Sequence, residues 1–211
     1  MASVSASIRE RILSPQHRAV LERAIAAEVI TERGYWTAIH WLELAGLGFR
    51  GTQKRPECFP ALVIPQHDPT GEYTYSVLRW DTPRFLHERE VKYDQPAGVG
   101  LRLDVPLRCI AGLRDPDQPL WWTEGSKKAD ALASRGLVAV STPGVDGWRS
   151  WHAVPDLFGI PFKDRLVYCA YDSDVLTKPA VRQAVVSLAR WLGQKGASVQ
   201  VLDWTRVART A

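Results

Sequence analysis

The sequence predicts an α/β protein in which a mostly parallel sheet flanked by helices follows a small β-rich region and an N-terminal helical cap. Beyond residue 119, short apolar runs alternate with stretches of helical periodicity, an order typical of parallel strands joined by crossover helices. Residues 58–103 carry aromatic and β-branched runs separated by turn residues, which favours antiparallel strands. Apolar residues at helical spacing between residues 14 and 45 predict the cap.

The N-terminal region, residues 1–57, is expected to contain two helices. Ser14 and Pro15 suit the N-cap and first helical position, so the first helix is placed directly after them. Its apolar stripe ends before Gly34, a residue type that commonly terminates helices. A second helix is predicted over residues 37–45. We favour a structural cap over a dedicated DNA-binding element.

The middle region, residues 58–112, is predicted to be a β-rich basic subdomain. Apolar runs at 61–65 and 73–80 flank turn residues, which indicates a hairpin with a long loop. Basic residues interleaved with aromatic ones then follow, and they are Arg79, Arg84, Arg89 and Lys92. A solvated loop and a groove that binds phosphates are both consistent with this pattern.

The C-terminal region, residues 113–211, begins within a connector rich in proline and glycine and contains the predicted parallel sheet. Strands are predicted at 119–123, 137–141, 165–171 and 198–203, and helices at 126–134 and 178–193. Residues 142–164 are predicted to be irregular.

Composition limits the classes of protein to which the chain can belong. It has 211 residues, of which 45% are hydrophobic and 24% charged, as in ordinary soluble domains. We expect no membrane span and no secretory signal, because no apolar run is long enough. Three widely spaced cysteines argue against a disulfide framework or zinc ribbon and favour a cytoplasmic location. The net charge of +4 permits nucleic-acid binding without requiring it.

Acidic residues follow two of the predicted parallel strands. Glu124 comes after the run 119–123, and Asp172 and Asp174 come after the run 165–171. The carboxyl ends of strands in an open α/β sheet form the crevice where ligands bind. Alternate residues of an extended strand project the same way, so both aspartates can reach one ion. Oxygen ligands of this kind suit Mg²⁺ or Mn²⁺, and we predict such a metal site here.

The same segments resemble the Toprim domain, a metal-binding fold of bacterial-type primases, topoisomerases and some nucleases. The likeness rests on residues 120–132, 136–140 and 167–174, and it is strongest to plasmid and phage primases or primase-helicases. Residues 64–98 resemble the basic subdomain that precedes Toprim in primase catalytic cores. The likeness therefore covers roughly residues 58–203.

The resemblance implies roles for individual residues. Glu124 matches a general acid/base or metal ligand, and Asp172 and Asp174 match the metal-binding aspartates. Arg79 and Lys92 match basic positions that face template or nucleotide phosphates.

Two lysines open the helix predicted after Glu124. Lys127 and Lys128 are expected either to bind phosphate at the start of the helix or to form a solvated face. Lys128 departs from the Toprim pattern, in which many domains carry an acid four positions after the glutamate. Either metal binding is weaker as a result, or Lys128 contacts phosphate directly. Asp130 lies two residues further along the helix and need not point into the site.

The function expected from these features is that of a DNA primase core in plasmid or phage replication. It would synthesise primers on single-stranded DNA from nucleoside triphosphates with Mg²⁺ or Mn²⁺, with a replicative helicase as a further candidate partner. One alternative is a metal-dependent nuclease. The other is a non-catalytic module that binds DNA or a helicase.

Overall fold

The computed structural model describes residues 11–50, 56–86, 88–150, 153–172 and 178–202. Within them lie two four-stranded sheets, one antiparallel and one parallel, with helices packed on both. The predicted mixed α/β architecture is therefore confirmed. No helix among these residues is long and apolar enough to cross a membrane.

The N-terminal residues form two short helices where the sequence predicts one, α1 (Pro15–Leu21) and α2 (Ala27–Arg33). Ser14 caps α1, because its hydroxyl accepts a hydrogen bond from the backbone N–H of His17 at 3.2 Å. The first helix stops early because Ala26 adopts an extended backbone conformation. Gly34 ends α2 in the left-handed conformation, as its residue type predicts.

The second predicted helix is wrong at its start. Residues Trp36–Ala38 form strand β1, and only Trp41–Ala45 form helix α3, which His40 caps. These residues form a strand because they pair antiparallel with β2 (Ala61–His67), which buries all three of their side chains. Tertiary packing overrides the local helical pattern here.

The predicted hairpin is confirmed and extends further than predicted. Strand β2 pairs with the long β3 (Tyr73–Leu86), which pairs in turn with β4 (Arg89–Asp94), giving the order β1-β2-β3-β4. The turn between β2 and β3 is held by Asp68, whose Oδ1 accepts the backbone N–H of Thr70 at 2.8 Å. The basic segment after the hairpin is therefore strand and not loop.

The parallel sheet has the order β6-β5-β7-β8, with each neighbouring pair parallel. After the short α4 (Ile110–Leu113), its elements follow the predicted order and lie within a few residues of the predicted bounds. They are β5 (Leu120–Glu124), α5 (Ser126–Ala133), β6 (Val138–Thr142), β7 (Leu166–Cys169), α6 (Pro179–Gln194) and β8 (Ser198–Val201). The sheet forms the largest core cluster, in which Trp122, Val167 and Leu188 are completely buried.

The two sheets are joined by a buried ionic cluster around Arg33. Its guanidinium contacts Asp104, and Nη2 lies 2.6 Å from Asp130 Oδ1 on α5. The hydroxyl of Tyr35 donates to Asp130 Oδ2 at 2.5 Å. The hydroxyl of Ser126 also donates a hydrogen bond to Gln66 Oε1 on β2, at 2.9 Å. The start and middle of α5 are thus fixed against the antiparallel sheet.

Candidate active site

Glu124 lies at the carboxyl end of β5, an inner strand of the parallel sheet between β6 and β7. The chain turns directly into α5 through Gly125, whose φ of +79° favours glycine over other residues. The side chain of Glu124 is 31% exposed and so reaches solvent at this edge. This is the edge at which α/β sheets bind ligands.

Asp172 follows β7 at the same edge of the sheet. The backbone N–H of Ala170 donates to the carbonyl of Trp122 at 2.8 Å, so the chain stays hydrogen-bonded to β5 for one residue beyond the end of β7. Tyr171 is buried, and Asp172 is the first residue after β7 whose side chain is exposed to solvent, at 57%. Parallel neighbours end together, so Glu124 and Asp172 lie side by side.

Lys128 forms an ion pair with each of these two carboxylates. Its Nζ lies 2.5 Å from Asp172 Oδ2 and 3.4 Å from Glu124 Oε1. The structure therefore brings three of the predicted site residues to one point, although the third is a cation. The sequence left two alternatives for Lys128, phosphate binding and a solvated helix face. Its contact with both carboxylates is neither of them.

Glu124 and Asp172 supply side chains of the type that binds divalent cations. Two carboxylates converge on a single positive group, and Mg²⁺ and Mn²⁺ prefer oxygen ligands of this type. The predicted third carboxylate, Asp174, lies outside the described residues. Among the residues that are described, no three His, Cys, Asp or Glu side chains group as metal ligands.

Asp130 takes no part in the site. Its side chain is fully buried and is bound by Arg33 and Tyr35 on the far side of α5. Burial raises the pKa of its carboxyl group, while the charge of Arg33 acts in the opposite direction. Local sequence does not predict this structural role, because Arg33 lies almost a hundred positions away.

A basic and aromatic surface lies beside the carboxylates. Arg79 on β3 pairs in register with Tyr93 on β4, so both side chains project from the same face of that sheet. Lys127 Nζ lies 5.9 Å from the centre of the Tyr93 ring, within the range of a cation–π contact. Tyr93 is 46% exposed and so offers part of its ring to a ligand. We call Arg79, Tyr93 and Lys127 the basic surface.

Lys92 does not belong to the basic surface. It neighbours Tyr93 along β4, and alternation places its side chain on the opposite face of the sheet. Its Nζ lies 3.1 Å from Glu90 Oε2. Arg84, another of the interleaved basic residues, is bound to Asp94 at 2.6 Å. Of the two basic positions that the resemblance singled out, only Arg79 is on the same face as Tyr93, whose ring contacts Lys127 of α5.

A cavity of about 710 Å³ opens beside the first residues of β3. It is lined by Arg11, Arg50, Tyr73, Tyr75 and Pro96 among others. None of the predicted site residues borders it.

Comparison with known proteins gives one family model and one curated relative. A model described as a domain of unknown function (DUF3854) matches residues 112–210. An uncharacterized protein of Picosynechococcus sp. is 30% identical, with the match covering 64% of this chain and 18% of the relative. The chain thus spans less than a fifth of that relative's length.

Several solved primase structures have a similar fold. The Aquifex aeolicus primase, comprising zinc-binding and RNA polymerase domains, superposes with a TM-score of 0.63 at 18% identity over 89% of this chain and 49% of that one. The RNA polymerase domain of the Mycobacterium tuberculosis primase gives 0.58 at 14% identity over 90% of this chain and 68% of that one. A DnaG primase catalytic domain bound to single-stranded DNA gives 0.55 at 19% identity, covering 90% and 64%. The chain has the fold of DnaG-type primase catalytic cores.

Proposed function

We propose that the chain is the catalytic core of a Toprim-type DNA primase that serves plasmid or phage replication. The observation that carries this proposal is the convergence of Glu124 and Asp172 at the carboxyl edge of the parallel sheet. The match to primase cores over 89–90% of the chain supports it. The proposed substrates are nucleoside triphosphates and a single-stranded DNA template, with a replicative helicase as a further partner.

Glu124, Asp172 and Asp174 would hold Mg²⁺ or Mn²⁺ in this reaction. Bound there, a divalent cation neutralises negative charge that develops on the transferred phosphoryl group. Glu124 stands at the end of a rigid inner strand, and we assign it a second role as acceptor of the proton from the primer 3′-hydroxyl. That oxygen then bonds to the α-phosphorus as pyrophosphate leaves.

The basic surface would bind the nucleic-acid strand or the nucleotide. Arg79 and Lys127 provide positive charge for phosphates, and Tyr93 provides a ring on which a base can stack. The surface borders α5, the helix that also carries Lys128, so a strand bound there lies next to the carboxylates. Lys92 would contact phosphate only from the other face of β4.

Primer synthesis on a single-stranded template tests the proposal. Glu124→Gln and Asp172→Asn should each lower the rate about 100-fold or more, because each removes a group that acts in the transition state. Asp117→Asn is a matched control, since Asp117 is an exposed carboxylate in the connector before β5, at the opposite edge of the sheet. Primer synthesis at the wild-type rate by Asp172→Asn protein would overturn the proposal.

A non-catalytic module that binds DNA or a helicase is the second candidate. The contact of Lys128 with both carboxylates favours it, because the ammonium neutralises much of the charge that would attract a metal ion. This candidate predicts single-stranded DNA affinity that EDTA leaves unchanged, together with no polymerisation. Scission of labelled DNA with Mn²⁺ in the absence of nucleotides would instead identify a nuclease.

A further inference from the structure

Lys127 and Lys128 are neighbours in sequence but contact different groups. Lys127 lies against the ring of Tyr93, whereas Lys128 lies between Glu124 and Asp172. The rotation of α5 about its axis determines this division. Asp130, two residues further along the helix, is completely buried and bound to Arg33, so the helix cannot turn to exchange the two lysines.

The ammonium of Lys128 and a divalent cation compete for the same oxygens. Nζ lies 2.5 Å from Asp172 Oδ2, a distance that leaves no room for a second ion between them. Mg²⁺ bonds carboxylate oxygens at about 2.0–2.1 Å, so its binding to this oxygen requires Nζ to move away. The repulsion between two positive charges only a few ångströms apart acts in the same direction.

We propose that Lys128 is an exchangeable internal cation of the site. Without ligands it offsets part of the negative charge of Glu124 and Asp172, and it leaves them when a divalent cation arrives with a nucleoside triphosphate. The phosphate oxygens then accept the hydrogen bonds of the displaced ammonium. Its side chain is 40% exposed and on a flexible stem, so this movement needs no change in the backbone. The inference rests on the proposed function, because it requires the metal to bind at these carboxylates.

Cooperation between metal and nucleotide follows from this exchange. The triphosphate offers Lys128 new partners and so lowers the cost of releasing the carboxylates to the metal. Linkage makes the effect reciprocal, so the metal raises the affinity for nucleotide by the same factor. A site with an acid in place of Lys128 would have no such internal competitor.

Mn²⁺ titration followed by the electron paramagnetic resonance of the free ion tests the inference without relying on activity. Without nucleotide, Lys128→Met should bind Mn²⁺ about three- to tenfold more tightly than the wild type, as expected for the loss of one or two exposed ion pairs. Lys163→Met is the control, because Lys163 is exposed and precedes β7 at the opposite edge of the sheet, and it should stay within about twofold of the wild type. A non-hydrolysable triphosphate should raise the Mn²⁺ affinity of the wild type more than that of Lys128→Met.

Two results of this titration would overturn the inference. If Asp172→Asn abolishes Mn²⁺ binding but Lys128→Met leaves the affinity unchanged, the metal site stands and the exchange is wrong. If neither the wild type nor Lys128→Met binds Mn²⁺, both the inference and the proposed metal site are wrong. Lys128→Gln provides a second uncharged variant, and circular dichroism confirms that the fold is intact.

Discussion

Gly125 links the end of β5 to the start of α5, with φ +79° and ψ 135°. A side chain is strained at such a φ even though a Cβ there would meet no atom within 4 Å. Glycine is therefore needed at this position because of its backbone conformation, since there is room for a side chain. It allows Glu124 and Lys128 to lie on either side of a tight turn, close enough for an ion pair.

Gly125→Ala should lower the free energy of unfolding by about 1–3 kcal/mol, the usual cost of a strained backbone conformation. Gly46→Ala is the matched control, because Gly46 has φ −71° and equally open surroundings. Urea denaturation of both variants measures the difference. Equal stabilities would show that the turn is not strained.

His67 should make stability depend on pH. Burial, together with the positive charge of Arg33, lowers the pKa of its imidazole below 6.5. The unfolded chain therefore takes up this proton before the folded chain does, and stability falls as the pH drops through 6.5 toward the folded pKa. His67→Gln should lose part of this fall when urea denaturation is compared at pH 7.5 and 5.5. Identical pH dependence in both proteins would contradict the assignment.

Helix α5 is the element that connects the two sheets with the site. Its buried face carries Asp130, held by Arg33 and Tyr35, and its exposed face carries the two lysines. The predicted order of strands and helices beyond residue 119 is confirmed, because alternating apolar runs and helical stripes are properties of local sequence. The strand Trp36–Ala38 was missed because its pairing with β2 depends on residues more than twenty positions away.

Arg33→Met should destabilise the protein by about 3–5 kcal/mol. The change leaves Asp104 and Asp130 buried without their positive partner, which costs far more than the loss of an exposed pair. Arg18→Met, which removes an exposed pair with Glu22, should cost less than about 1 kcal/mol. Thermal or urea unfolding of the two variants compares these costs, and similar losses would refute the role of the buried cluster.

The candidate site could be predicted only in part. The strand-end positions of Glu124 and Asp172 follow from local sequence, and their proximity follows from the parallel arrangement. The contacts of Lys128 and Lys127 do not follow from local sequence. They depend on the rotation of α5 about its axis, which is fixed by the ion pair of Asp130 with the distant Arg33. The separation of Lys92 from Arg79 likewise depends on the register of β3 with β4.

Across the two sheets, the basic surface lies next to the acidic edge of the parallel sheet, with Arg79 and Tyr93 on the antiparallel sheet and Lys127 on α5. The chain spans about half the length of the Aquifex aeolicus primase structure. Both surfaces meet at α5, and none of their residues lines the cavity at the start of β3.

Binding of single-stranded DNA should depend on salt through the basic surface. Lys127→Ala and Arg79→Ala should each reduce the slope of log affinity against log salt by about 0.7, the value for one phosphate contact with a single strand. Tyr93→Ala should weaken binding about tenfold through the loss of stacking, with Tyr73→Ala as an exposed-tyrosine control. Fluorescence anisotropy across a salt series measures both effects. Unchanged slopes would place the nucleic acid elsewhere.

A crystal grown with Mn²⁺ and a non-hydrolysable nucleoside triphosphate tests the central claim most directly. We expect an anomalous peak bonded to Glu124 and Asp172, with Lys128 Nζ withdrawn from both carboxylates and bonded to phosphate oxygens. Manganese bound only at other positions, with the ammonium still between the two carboxylates, would contradict it.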